Sequence, residues 1–155
     1  AAQIESTYVD NLIYAAGKLK TAGCTLLIEP INPIDMPGYF LTTLDKAQGL
    51  IEKAGARAGR ALDNVGIQLD LYHRQMTQGR LLSAIDQAFD TIRHIQIAGV
   101  PGRHEPDAQG EVNWTEVLAA LDRRGYRGYI GCEYFPAAGT QAGLGWAKSW
   151  LAPRS

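Results

Sequence analysis

The sequence predicts an α/β fold built on parallel strands. Four short runs of β-branched and aliphatic residues alternate with amphipathic stretches of ten to fifteen residues, the pattern of consecutive βαβ units. The strand-like runs are apolar almost throughout instead of alternating, as expected where a parallel sheet is covered on both faces. Each run also carries a metal-competent side chain at or near its C-terminal end, so one end of the sheet stands out chemically.

The first element is a helix over residues 8–19, where Tyr8, Leu12, Ala15, Ala16 and Leu19 recur at three- and four-residue steps behind possible caps at Ser6 and Thr7. Gly23 ends it, and a strand over residues 26–29 stops at Glu29-Pro30. A second helix over residues 43–58 leads through Asn64-Val65-Gly66 into a strand over residues 67–71 that contains Asp70. Leu81, Ile85, Phe89 and Ile92 then mark a third helix, followed by a strand over residues 94–98 in which Gln96 faces opposite to Ile95 and Ile97. Asn113, with Glu116 three residues on, caps a fourth helix that passes through Val117, Leu118 and Leu121 and stops at Gly125. The last strand covers residues 129–133 and ends at Glu133. Trp146 and Trp150, four apart, place a short closing helix over residues 143–151 and are assigned to its packing.

Composition narrows the function classes. A chain of 155 residues, 46% hydrophobic and 20% charged, has the size and balance of one globular domain, residues 1–155, with enough apolar mass for a continuous core. Glu5, Asp10, Lys18 and Lys20 interrupt the first twenty residues, so neither a signal peptide nor a membrane span can be placed there, and the expected compartment is the cytoplasm. A net charge of -1 and the lack of any Lys/Arg run argue against nucleic acid as a partner. Cys24 and Cys132 lie in or beside apolar runs without a repeated spacing and read as buried, reduced thiols.

In a parallel barrel the C-terminal ends of the strands converge on one face, where active sites of such folds lie. Glu29, Asp70, Gln96 and Glu133 would therefore meet. Taken singly, a carboxylate at a strand end is most often a helix cap or an ion-pair partner. Together, two Glu, one Asp and an amide carbonyl make a hard, oxygen-only donor set that suits Mg2+ or Mn2+ better than zinc.

The segments "LLIEPIN", "QLDLYHRQM", "HIQIAGVPGRHEP", "GEVNW", "GYRGYIGCEY" and "GLGW" together resemble the hydroxypyruvate isomerases of the xylose isomerase-like barrel superfamily. The resemblance covers nearly the whole chain and implies the C-terminal half, strands five to eight, of a (β/α)8 TIM barrel. It also implies that Glu29, Asp70, Gln96 and Glu133 ligate a divalent metal and that Glu29 and Glu133 form a catalytic acid/base pair. The reaction so implied is an intramolecular oxidoreduction of the aldose-ketose type, hydroxypyruvate to tartronate semialdehyde through an enediolate. His73 is implied as a substrate or metal-site contact, and Arg103 as the grip on the substrate carboxylate. The related ketose 3-epimerases usually carry histidine where this chain has Gln96, which favours the isomerase branch. The alternatives are a 2-oxo-tetronate isomerase, a ketose 3-epimerase, or a half-barrel fragment without activity. The apurinic endonuclease branch would need a histidine-rich zinc cluster, and the chain has only His73, His94 and His104.

A whole barrel of this kind needs eight strands and roughly 250 residues, and this chain opens at Ala1 with a helix and no strand before it. Open strand edges and apolar inner faces are therefore expected, covered by self-association or by a first half of the barrel.

Overall fold

The computed structural model describes residues 2–151. Its four strands, β1 (Leu26–Ile28), β2 (Val65–Asp70), β3 (Ile92–Ile97) and β4 (Ile130–Cys132), form one sheet in the order β1-β2-β3-β4 with every pair parallel. Helices α1 (Ala2–Thr21), α2 (Leu44–Ala58), α3 (Leu71–Thr77), α4 (Leu81–Ala88), α5 (Trp114–Arg123) and α6 (Lys148–Leu151) fill the connections and the C-terminal side. The α/β class, the parallel sheet and the partial barrel of four strands are thus as expected. Among the described residues, no helix is long and apolar enough to cross a membrane.

Local chemistry explains most of the boundaries. Thr43 caps α2 by accepting the Lys46 N–H at 3.3 Å, and Gly59, at φ +65°, closes it with its N–H returned to Ala56 O. Asn113 Oδ1 accepts the Glu116 N–H at 3.2 Å to start α5. Val9, Leu12 and Ala16 of α1 bury a stripe beside α2, while Lys20–Asp63 and Arg57–Asp10 pair on the exposed side at 2.7 Å.

Ile67, Leu69, Ile95 and Ile97 are buried on the helix-covered side of the central strands. Each such side chain contributes about 1.5–3 kcal/mol by leaving water. Alternation along the strands puts Gln68, Asp70, His94 and Gln96 on the opposite, concave face. That face is polar, contrary to the expectation of apolar inner faces. At Gly131 a Cβ would come within 3.0 Å of His94 Nε2 and 3.2 Å of Gln96 Cγ, which confirms that these three positions share it.

Several boundaries move. Ile92 begins β3 instead of ending the preceding helix, because α4 stops at Ala88 and the turn bond from Thr91 N–H to Ala88 O releases the chain into the sheet. Leu71 opens α3, which continues directly from β2 with Asp70 as its N-cap, a helix that apolar periodicity did not reveal. Tyr129 lies outside β4 and is 89% exposed. The closing helix is a 3-10 turn over Ala142–Ala147 followed by α6. Both cysteines are exposed free thiols, Cys24 because it sits in the turn after Gly23 and Cys132 because it lies on an edge strand.

Candidate metal centre

Glu29 and Glu133 follow β1 and β4, the two edges of the sheet, and Asp70 ends β2. Three inter-strand spacings of about 4.8 Å would put the edges of a flat sheet roughly 14 Å apart. Yet one ligand atom from each of Glu29, Asp70, His73 and Glu133 falls within 4.8 Å of the others. The sheet's curl and the reach of the glutamates close the gap. Gln96 pairs in register with Asp70 on the neighbouring strand, which puts its amide on the same face.

Two of these closely held acidic groups, Glu29 and Asp70, resist ionisation. Burial, then the charges of Asp70 and Glu133, push the Glu29 carboxyl up to about 7, partly offset by Gln68 Nε2 donating to Glu29 Oε2 at 2.8 Å. Asp70, 2% exposed, is raised to about 6, again chiefly by burial, against the Tyr72 N–H that donates to its Oδ1 at 2.8 Å. The other oxygen, Asp70 Oδ2, is buried without a hydrogen-bond partner, and so is Gln96 Oε1. Among the described residues only four buried side-chain polar atoms lack a partner, and two of them are these acceptors on one side of the sheet. Acceptors without donors, beside carboxylates that titrate high, fit a cation bound by oxygen.

Arg103 supplies the positive charge within reach. Its φ of +54° is unusual for a residue with a side chain. The guanidinium Nη2 donates to Glu133 Oε2 at 2.7 Å and lies 3.8 Å from Asp70 Oδ2, while the group stacks 4.9 Å from the Tyr72 ring centroid. Arg103 therefore belongs to the site and is no solvated loop residue. Its loop is tied to the segment after β4, where His104 Nδ1 donates to Phe135 O at 2.7 Å and Glu105 accepts the Ala137 N–H.

His73, 4% exposed, reaches Asp70 Oδ2 at 3.7 Å and Glu29 Oε1 at 3.9 Å through Nε2. Burial and the Arg103 charge push its pKa down to about 4, so the ring is neutral near neutral pH. The structure thus gathers Glu29, Asp70, His73, Arg103 and Glu133 directly, and Gln96 by register. Sequence reasoning missed Asn32, Asp35 and Gln68, which touch these residues. Asn32 and Asp35 sit in the loop that follows "LLIEP", and their signal was an Asn followed three residues later by Asp, a spacing that also marks ordinary turns.

The xylose isomerase-like TIM barrel family matches residues 1–150 of this chain. A 2-oxo-tetronate isomerase from Cupriavidus necator is 47% identical over 150 residues, which cover 97% of this chain and 55% of that protein. The hydroxypyruvate isomerase of Escherichia coli K12 is 42% identical over 144 residues, 93% of this chain and 53% of the relative. Among solved structures, a Brucella melitensis protein described as an AP endonuclease of family 2 superposes with a TM-score of 0.86 at 42% identity, covering 94% of this chain and 54% of that one. A 3-keto-D-glucoside 4-epimerase from E. coli, 23% identical, shares the fold with a TM-score of 0.79 over 94% of this chain and 53% of its own. The chain spans about half the length of the relatives it matches.

Proposed function

The chain belongs to the xylose isomerase-like TIM barrel family, and on that premise we propose that it carries the active-site half of a divalent-metal isomerase that interconverts hydroxypyruvate and tartronate semialdehyde. The observation that carries the reading is the pair of donor-less buried oxygens, Asp70 Oδ2 and Gln96 Oε1, beside Glu29 and Glu133. These four residues would hold Mg2+ or Mn2+. When bound, such an ion polarises the substrate's carbonyl and hydroxyl oxygens and spreads the charge that builds up as the carbon acid ionises.

The chain's own groups divide the remaining work. Glu29, at the end of β1, takes and returns a carbon-bound proton. Glu133 approaches from the opposite edge of the sheet and serves the neighbouring carbon. Arg103 turns from Glu133 to the substrate carboxylate, its planar fork giving two parallel donors. The site is assigned to the cytoplasm, and the open edges of β1 and β4 to pairing with a first half of the barrel or with a second copy.

A 2-oxo-tetronate substrate is the second reading, favoured by two relatives of that name at 47% and 41% identity. Incubation with each acid in D2O and Mg2+ or Mn2+, followed by NMR, separates them. Deuterium uptake and aldehyde formation from hydroxypyruvate are expected, and turnover of the four-carbon acid alone would transfer the assignment to the second reading. Turnover of neither acid would leave the chain as a fragment without activity.

A further inference from the structure

Distance alone groups His73 with the carboxylates as a fourth metal ligand. The hydrogen bonds behind it exclude that role. Asn32 is fully buried at 0% exposure, and its amide orientation is fixed from both sides. Its Oδ1 accepts two backbone N–H groups, from Ile34 at 3.1 Å and from Asp35 at 2.8 Å. Its Nδ2 faces the Asp35 carboxylate at 3.0 Å and His73 Nδ1 at 2.7 Å. Flipping the amide would set its NH2 against two N–H donors and its oxygen against a carboxylate. The amide therefore donates to His73, and His73 Nδ1 must offer a lone pair. A neutral imidazole has one N–H, so the proton lies on Nε2, the nitrogen that faces Asp70 and Glu29.

We propose that Asn32 is a positioning residue that locks His73 in its Nε2–H tautomer, so that His73 enters the site as a hydrogen-bond donor to a substrate oxygen and stays outside the metal's coordination shell. An Nε2 carrying a proton has no lone pair to give a cation. Freeing one would shift the proton to Nδ1, against the Asn32 amide, and leave a buried donor facing a donor. Asp35 reinforces the lock, since its Oδ2 takes the other Asn32 proton and also accepts from the Tyr72 hydroxyl at 2.8 Å. The ligand set is thereby restricted to oxygen, which rests on the metal reading above, whereas the tautomer itself does not.

The test is long-range 1H–15N correlation NMR of the 15N-labelled chain without metal and after adding Mg2+ alone, with the His73 signals assigned by their loss in His73→Gln. Wild type is expected to show a pyridine-like Nδ1 and a protonated Nε2 in both states. In Asn32→Asp the carboxylate should draw the proton to Nδ1 and swap the two signatures, and Co2+ should then give a visible spectrum with a nitrogen ligand that wild type lacks. A protonated Nδ1 in the metal-free wild type overturns the proposal, and so does loss of the Nε2 proton on adding Mg2+. Because the wild-type spectra decide the matter, a variant that fails to fold leaves it decidable. A protonated Nε2 with no response to any divalent ion would support the tautomer lock and sink the metal reading instead.

Discussion

Binding of a divalent cation at Glu29, Asp70, Gln96 and Glu133 should release protons in an amount set by pH, because a carboxyl must ionise before it can ligate. Glu29 titrates at about 7 and Asp70 at about 6, both raised first of all by burial. At pH 6 the first keeps its proton roughly nine-tenths of the time and the second about half, so a cation should expel about 1.4 protons there and only about 0.1 at pH 8. His73, titrating at about 4, is neutral across this window and adds nothing. The sign follows from the direction of the shifts: raised carboxyl pKa values make protons compete with the cation as pH falls. Affinity for Mn2+ should therefore drop about 20-fold from pH 8 to pH 6. Isothermal titration calorimetry in two buffers of different ionisation enthalpy reads the proton count directly. Glu29→Gln should leave roughly 0.5 protons released at pH 6, the share belonging to Asp70. Equal proton release at the two pH values would show that the cation binds elsewhere or that these carboxyls are not its ligands.

Replacing either Glu29 or Glu133 by Gln should reduce turnover of hydroxypyruvate at least ~100-fold, the usual cost of losing a general acid or base, and near-normal turnover in either variant removes that residue from the pair. Asp70→Asn should act first on the metal, weakening Mn2+ binding measured by calorimetry while far-ultraviolet circular dichroism stays unchanged; an unaltered titration would assign Asp70 to capping α3 alone. Arg103→Ala should raise KM for hydroxypyruvate far more than for a neutral hydroxyketone of similar size, and equal losses for both substrates would make its contact with Glu133 structural.

The fold was legible wherever a single local rule governs. Parallel strands announced themselves as unbroken apolar runs, and the cap at Asn113 and the stop at Gly125 follow from backbone chemistry within one turn of chain. The four oxygen-bearing residues were legible because strand ends converge whatever lies between them. What escaped was set by contacts over long separations. Asn32 and His73 are 41 residues apart, and nothing near either reveals that one orients the other. Helix α3 is short and follows a strand without a loop, so its apolar residues read as a continuation of β2. The polar concave face was hidden for a related reason: Gly66 and Gly131 look like strand weakeners until one sees that side chains there would collide with Arg93 and with His94 and Gln96.

The outermost strands are only three residues long, and each has a neighbour on one side alone. Beyond β4 the ladder gains one further bond, from the Glu133 N–H to Ile97 O. Such margins open first when a structure breathes, so amide hydrogens there should exchange with solvent sooner than those of β2 and β3. Glu29 and Glu133 stand at these two margins, and whatever both carboxylates grip becomes a strap from one side of the sheet to the other. Occupancy of the site and the exchange lifetimes of the Leu26 and Glu133 amides, which bond to Asn64 O and Ile97 O, then become two readings of one equilibrium, with the parts of the chain held most weakly by backbone pairing gaining most from a ligand.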